Sequence, residues 1–173
     1  MSSDNQNRHA HSPAGVVIQK GDYASLEFER FFDHPPEVIW RALTEPAELR
    51  AWLALDAEID LQARRVEMVT GPAEIRWTGR ILTWDPPRIF EYEWNTDARG
   101  EMPSGEQTVV RWELIAEAEG TRLKLSHRRL TAGTAQGFAP GTHAFLDRLR
   151  AHLGGEVPPE WMERYAEVEG LYR

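Results

Sequence analysis

The 173-residue sequence has no cysteine. That absence excludes disulfides, thiolate zinc sites and a cysteine nucleophile together. No run of about 18 apolar residues, the length a membrane-spanning helix needs, occurs anywhere, and the polar start MSSDNQNRHAHSPAG lacks the apolar stretch of a signal peptide. The cytoplasm is the expected compartment, with no membrane insertion. Basic residues gather only in short pairs such as Arg64-Arg65 and Arg128-Arg129, within a chain of net charge -8. A phosphate backbone would be repelled, so nucleic acid is not an expected partner. The His-Glu-x-x-His metal signature and the Gly-x-Ser-x-Gly nucleophile elbow are missing too. Gly133, Gly137 and Gly141 flank a helix start without the lysine of a phosphate loop. His9 and His11 sit in a polar tail, where they would be weak ligands, so neither a metal nor a cofactor is expected.

Against these absences stand 41% hydrophobic residues, among them 7 tryptophans. That is enough apolar surface for a packed core, and the length suits one domain. Residues 1–22 are expected as a disordered tail and 23–173 as a single domain, with a short helical extension at 158–170.

Periodicity supplies the elements. Ser25 to Phe32 alternates, placing Leu26, Phe28, Arg30 and Phe32 on one face. After Pro35-Pro36, Val38, Ile39, Ala42 and Leu43 recur at helical spacing, and Pro46 opens a second short helix carrying Leu49, Trp52 and Leu53. Strand-like runs follow at 57–61, 65–70, 73–84, 89–94, 108–115 and 121–130, separated by turn residues such as Gly71-Pro72 and Asp85-Pro86-Pro87, and by a longer loop at 97–107. Gly79 lies inside the longest run, where a bulge or bend would let the sheet curl. A long helix is expected from about Gln136 to Leu153, and Trp161, Tyr165 and Val168 mark a short amphipathic helix packing back on the domain. Phe90, Tyr92 and Trp94 share a face, as do Val110, Trp112 and Leu114, and Leu123, Leu125 and His127. The intervening positions hold acids and bases. One face of an antiparallel sheet is therefore dry and the other wet. The dry face needs a cover, which the long helix supplies, while the two short helices close one end with Trp40 and Trp52.

These residues carry a family resemblance. DHPPEVIWRALTEPAEL at 33–49, GRILTWDPPR at 79–88, FEYEW at 90–94, VRWEL at 110–114, TRLKLSH at 121–127 and the leucines of 146–153 resemble the Hsp90 ATPase activator homologue branch of the START/Bet v 1-like (SRPBCC) superfamily. The resemblance spans about residues 24 to 170. It implies an α+β helix-grip fold, a curved antiparallel sheet of six to seven strands wrapped around a long C-terminal helix, with two short helices after the first strand. It also implies an apolar cavity between sheet and helix that takes small apolar or aromatic ligands, although some relatives are cyclases or hydrolases. The Hsp90 activators it resembles have an additional N-terminal domain where this sequence has a short tail. The family often places an aromatic residue after the glycine of the C-terminal helix. Here Gly141-Thr142-His143 stands instead, which would enlarge the cavity or make it more polar.

The expected ligand-binding set is Arg30, Trp40, Trp77, Phe90, Tyr92, Trp94, Trp112, His127, Thr142 and Phe145. His127, a histidine on the dry face, is the candidate general acid/base. Arg30 on that face needs a carboxylate, either internal or from a ligand. Tyr92 and Trp112 pair an aromatic body with one polar tip each. The leading expectation is a non-enzymatic binder of a small apolar or aromatic ligand. The alternatives are a cyclase or hydratase acting on a polyketide-like substrate, and a protein-interaction module regulating a chaperone.

Overall fold

The computed structural model describes residues 12–96 and 105–173. The His9-x-His11 pair and most of the 97–107 loop lie outside the described residues. Eight strands form one antiparallel sheet in the order β1-β2-β8-β7-β6-β5-β4-β3. They are β1 (Val16–Lys20), β2 (Tyr23–Phe32), β3 (Ala54–Asp60), β4 (Arg65–Thr70), β5 (Ile75–Asp85), β6 (Ile89–Thr96), β7 (Glu106–Glu117) and β8 (Gly120–Thr131). Helices α1 (Pro36–Thr44) and α2 (Pro46–Trp52) follow β2, the long helix α3 spans Ala132–Leu153, and α4 (Trp161–Val168) runs into a 3-10 turn, Glu169–Tyr172.

The expected six to seven strands become eight because β1 precedes Tyr23, inside the stretch read as tail. It pairs with β2 from Val16↔Glu27 to Lys20↔Tyr23 across a two-residue turn in which Gly21 takes φ 60°. An edge strand with Val16 exposed shows no alternation, which is why periodicity passes over it. Helix α3 also begins earlier than Gln136, because the Thr131 hydroxyl caps it by accepting from the Thr134 amide (3.3 Å). It continues through Pro140.

The wet and dry faces fall as the alternation requires. Phe90, Tyr92, Val110, Trp112, Leu114, Leu123, Leu125 and His127 are buried. On the other side, Glu91 holds both Arg111 (3.5 Å) and Arg128 (2.7 Å), and Arg122 reaches Glu29 and Glu117. Gly79 permits the curl: a Cβ there would lie 1.7 Å from the Glu93 carbonyl oxygen, so only glycine lets β6 come this close. The register of β5 on β6 then shifts between Ile81 and Thr83.

Helix α3 packs over β1, β2 and β8 and meets α1 and α2. At the corner between the short helices the Trp52 indole donates to the Ala42 carbonyl (2.9 Å), so one side chain fills space and fixes the bend. The other half of the dry face, under β5 to β7, is covered mainly by its own aromatic residues.

Candidate functional site

The aromatic side chains of β5, β6 and β7 meet as a connected set. Trp77 stacks on Trp94 with ring centroids 3.7 Å apart and an interplanar angle of 14°, and lies parallel to Tyr92 at 5.4 Å. Tyr92 packs on Phe90 at 4.6 Å. Trp40 meets Phe90 and the half-buried Trp84 edge-on, while Trp52 meets Trp112 at 88°. The edge-to-face pairs suit the ring quadrupoles and add about 0.5–1.5 kcal/mol each beyond burial. The Trp112 indole donates to the Tyr92 hydroxyl (3.0 Å). Burial raises the Tyr92 phenol above its ordinary range, so it stays protonated.

At one side of this set lie polar atoms that the fold leaves without partners. Trp77 Nε1, Trp94 Nε1 and Thr96 Oγ1 are buried and have no hydrogen-bond partner among the described residues. They are neighbours, since Trp77 stacks on Trp94 and pairs with Thr96 across the strands. Each such orphan costs about 1–3 kcal/mol unless something outside the chain satisfies it. His127 adjoins them, 5.6 Å from Trp94 and 5.8 Å from Phe138. The Thr108 hydroxyl gives its proton to the Trp94 carbonyl (2.7 Å), so it accepts from His127 Nε2 (2.7 Å). The ring is therefore the Nε2–H tautomer, with Nδ1 left as an acceptor. Burial lowers the His127 pKa to about 3, which keeps it neutral.

Thr96, Thr108, Phe138 and Trp84 are additions to the sequence-derived set. Thr96 extends the alternation Phe90, Tyr92, Trp94, and Thr108 precedes Val110 and Trp112 on the same face. Period 2 carried one step further at each strand would have found both.

Three of the expected residues lie elsewhere. Phe145 packs on Trp161 of α4 at 5.5 Å. Thr142 is half-buried, and its side chain makes no hydrogen bond among the described residues. Arg30 belongs to a charged cluster beneath α3. Its Nη1 donates to the Glu29 carbonyl (2.9 Å), its Nε and Nη2 are orphaned, and its charge is offset chiefly by Asp147. Around it the Arg164 Nε donates to Asp147 Oδ2 (2.7 Å), and His143 links Ser12 to Tyr172. The donors run in order: Gly15 N–H to the Tyr172 hydroxyl, Tyr172 to His143 Nδ1, His143 Nε2–H to Ser12, and Ser12 to Asp147 Oδ2. Ser12 thus gives its proton to the carboxylate and not to the histidine, the reverse of an activated nucleophile. Among the described residues no three His, Asp or Glu side chains come together as metal ligands, and no helix is long and apolar enough to cross a membrane.

A family model for the Activator of Hsp90 ATPase homolog 1-like protein matches residues 33–154. The chain belongs to that family. The match covers both short helices, β3 to β8 and all of α3, so it contains the aromatic set and leaves β1, β2 and α4 outside it. No curated protein matches the chain in sequence. Among solved structures, this chain is similar to CalU16 from Micromonospora echinospora, with TM-score 0.71, 22% identity, and 91% of this chain and 94% of that one covered. It is also similar to the protein encoded by gene BPP1335 from Bordetella parapertussis, with TM-score 0.69, 26% identity and coverages of 93% and 90%. A conserved protein of unknown function, EF2215 from Enterococcus faecalis, gives TM-score 0.70 at 17% identity, with coverages of 97% and 94%. These likenesses establish the fold over nearly the whole chain. With the family they are consistent with ligand binding or cyclase-like chemistry.

Proposed function

We propose that this chain binds a small, flat, largely apolar ligand in the interior between the sheet and α3, against Trp77, Trp94 and His127. The observation that carries the reading is the trio of buried, partnerless polar atoms, Trp77 Nε1, Trp94 Nε1 and Thr96 Oγ1, on an otherwise apolar aromatic surface. Two indole N–H groups call for an acceptor, and His127 Nδ1 calls for a donor. A ring system bearing both a carbonyl and a hydroxyl meets these needs while its faces lie against indole. Binding is favoured over catalysis by the histidine itself. A pKa near 3 makes His127 a weak base and no acid at neutral pH, far from the value that serves proton transfer. Arg30, the charged residue expected on the same dry face, is engaged with the Asp147 cluster.

The test is native mass spectrometry of the full chain purified without organic solvent, with titration of 1-hydroxyanthraquinone as a defined probe. A retained small molecule or a probe complex, either one lost in Thr96→Val, is the expected result. Clean mass with no probe binding, or a complex indifferent to Thr96→Val and Trp94→Phe, places the site elsewhere.

A further inference from the structure

A groove of about 340 Å³ opens on the outside of the fold, where the end of α2, the start of β3 and the Gly71-Pro72 turn face α3 and α4. Its size is at the lower end of the roughly 300–1,000 Å³ typical of ligand sites. Leu53, Leu55, Phe145 and Trp161 give it apolar walls, and Arg148 lies among them.

The charge of Arg148 is what the fold does not settle. Its Nε donates to the Trp52 carbonyl (2.9 Å) and its Nη1 to the Pro159 carbonyl, both neutral acceptors, and among the described residues it makes no ion pair within 4.0 Å. The other ions in the groove are occupied. Glu160 caps α4 by accepting from the Glu163 amide (2.8 Å), and Arg50 holds Asp56 (3.1 Å). Burial disfavours the charged form of Arg148, and Glu160 offsets this only in part. A half-buried guanidinium bound only by carbonyls gains most from an anionic acceptor, which forms charge-assisted hydrogen bonds. A hydrated inorganic anion has no use for indole, phenyl and leucyl walls, whereas an organic carboxylate uses both features.

We propose that this groove is a second binding site, separate from the sheet interior, for a small carboxylate on an apolar body, with the carboxylate on Arg148 and the body against Phe145, Trp161 and Leu55. α4 supplies one wall and lies beyond the residues that match the family model, so the site is a property of this chain's C-terminal extension.

Calorimetric titration of the full chain with 2-naphthoate, and with 2-naphthamide as its uncharged counterpart, tests the proposal. Naphthoate binds and the amide binds at least about tenfold more weakly. Leu55→Glu, at a position already 57% exposed and therefore safe for folding, weakens naphthoate at least about tenfold by placing a like charge in the groove. Arg148→Met removes the preference for naphthoate over the amide. Thr96→Val leaves naphthoate affinity within about twofold, which separates this site from the interior one. The proposal is overturned if naphthoate fails to bind at about 1 mM, if the amide binds equally well, or if Leu55→Glu has no effect.

Discussion

Under β5 to β7 the interior is made of rings and hydroxyls without charge, whereas under β2, beneath α3, it is made of Arg30, His143, Asp147, Arg164 and Tyr172. Both regions contain orphaned polar atoms, and their kinds differ. In the charged region donors and acceptor are left over together, Arg30 Nε and Nη2 with Asp147 Oδ1, a chemically complementary set. In the aromatic region two indole donors and a hydroxyl are left, with no orphaned carboxylate or carbonyl side chain beside them among the described residues. The charged region also draws its members from both ends of the described chain, Ser12 and Gly15 at one end and Arg164 and Tyr172 at the other. The difference teaches that the charged region closes the fold on itself, while the aromatic region leaves hydrogen-bonding capacity over.

The comparison is broken most forcefully at Asp147. Asp147→Ala takes from buried Arg30 the carboxylate that chiefly offsets its charge, and from Arg164 one of its two carboxylates, and is expected to cost about 3–5 kcal/mol of stability in urea unfolding. Arg30→Met, which removes a charge instead of stranding one, is expected to be close to neutral. A loss under about 1 kcal/mol for Asp147→Ala would mean that this cluster does not hold the chain ends.

Acid probes both regions at once, since each contains one buried neutral histidine. His127 is lowered to about 3 by burial, and His143 to about 4 by burial, with Asp147 opposing and Arg30 and Arg164 adding to the shift. Unfolded histidine takes up a proton near pH 6.5, and the folded residues do not until pH 4 or below. The unfolded state therefore binds more protons in this window. Stability is full above pH 6.5 and falls as pH drops toward 4, by about 1.4 kcal/mol per pH unit for each histidine. His127→Gln and His143→Gln should each remove one share of that slope in denaturant titrations at pH 7.5 and 5, and an unchanged slope in either variant would exclude its histidine.

A smaller effect is expected where α4 docks. A Cβ on Gly141 would stand 2.9 Å from the Trp161 ring, whose Nε1 donates to the Gly141 carbonyl (3.2 Å). Gly141→Ala should displace Trp161 at a cost of about 1–3 kcal/mol. Quenching of tryptophan fluorescence by acrylamide would report the displacement, and unaltered quenching would mean the ring has room.

The two regions were not equally legible in the sequence. The aromatic face followed from period 2, because β5 to β7 alternate over most of their length, and Trp40 and Trp52 followed from helical spacing. Arg30 was visible as a charge on a dry face, and its partner was not. Asp147 lies 117 positions away on α3, in a helix whose polar and apolar residues are mixed enough to hide a buried acid. His143 read as a polar variation near the cavity, yet it belongs to the cluster with Ser12, inside a segment taken for tail. Long-range polar pairing leaves no local period, whereas packing on a sheet does. The orphaned indoles were equally hidden, since whether a buried N–H finds a partner depends on geometry across strands.

The most direct measurement is the unfolding free energy of Thr96→Val beside wild type, each purified identically and free of ligand, together with 1-hydroxyanthraquinone binding to both. The substitution removes an orphaned hydroxyl at nearly constant volume. If the aromatic region is a ligand site left open in its hydrogen bonding, the variant is as stable as wild type or more so by up to about 1 kcal/mol, and its binding is at least about tenfold weaker. A variant that loses stability by more than about 1 kcal/mol while binding as before would show that Thr96 serves the fold, and would contradict the account.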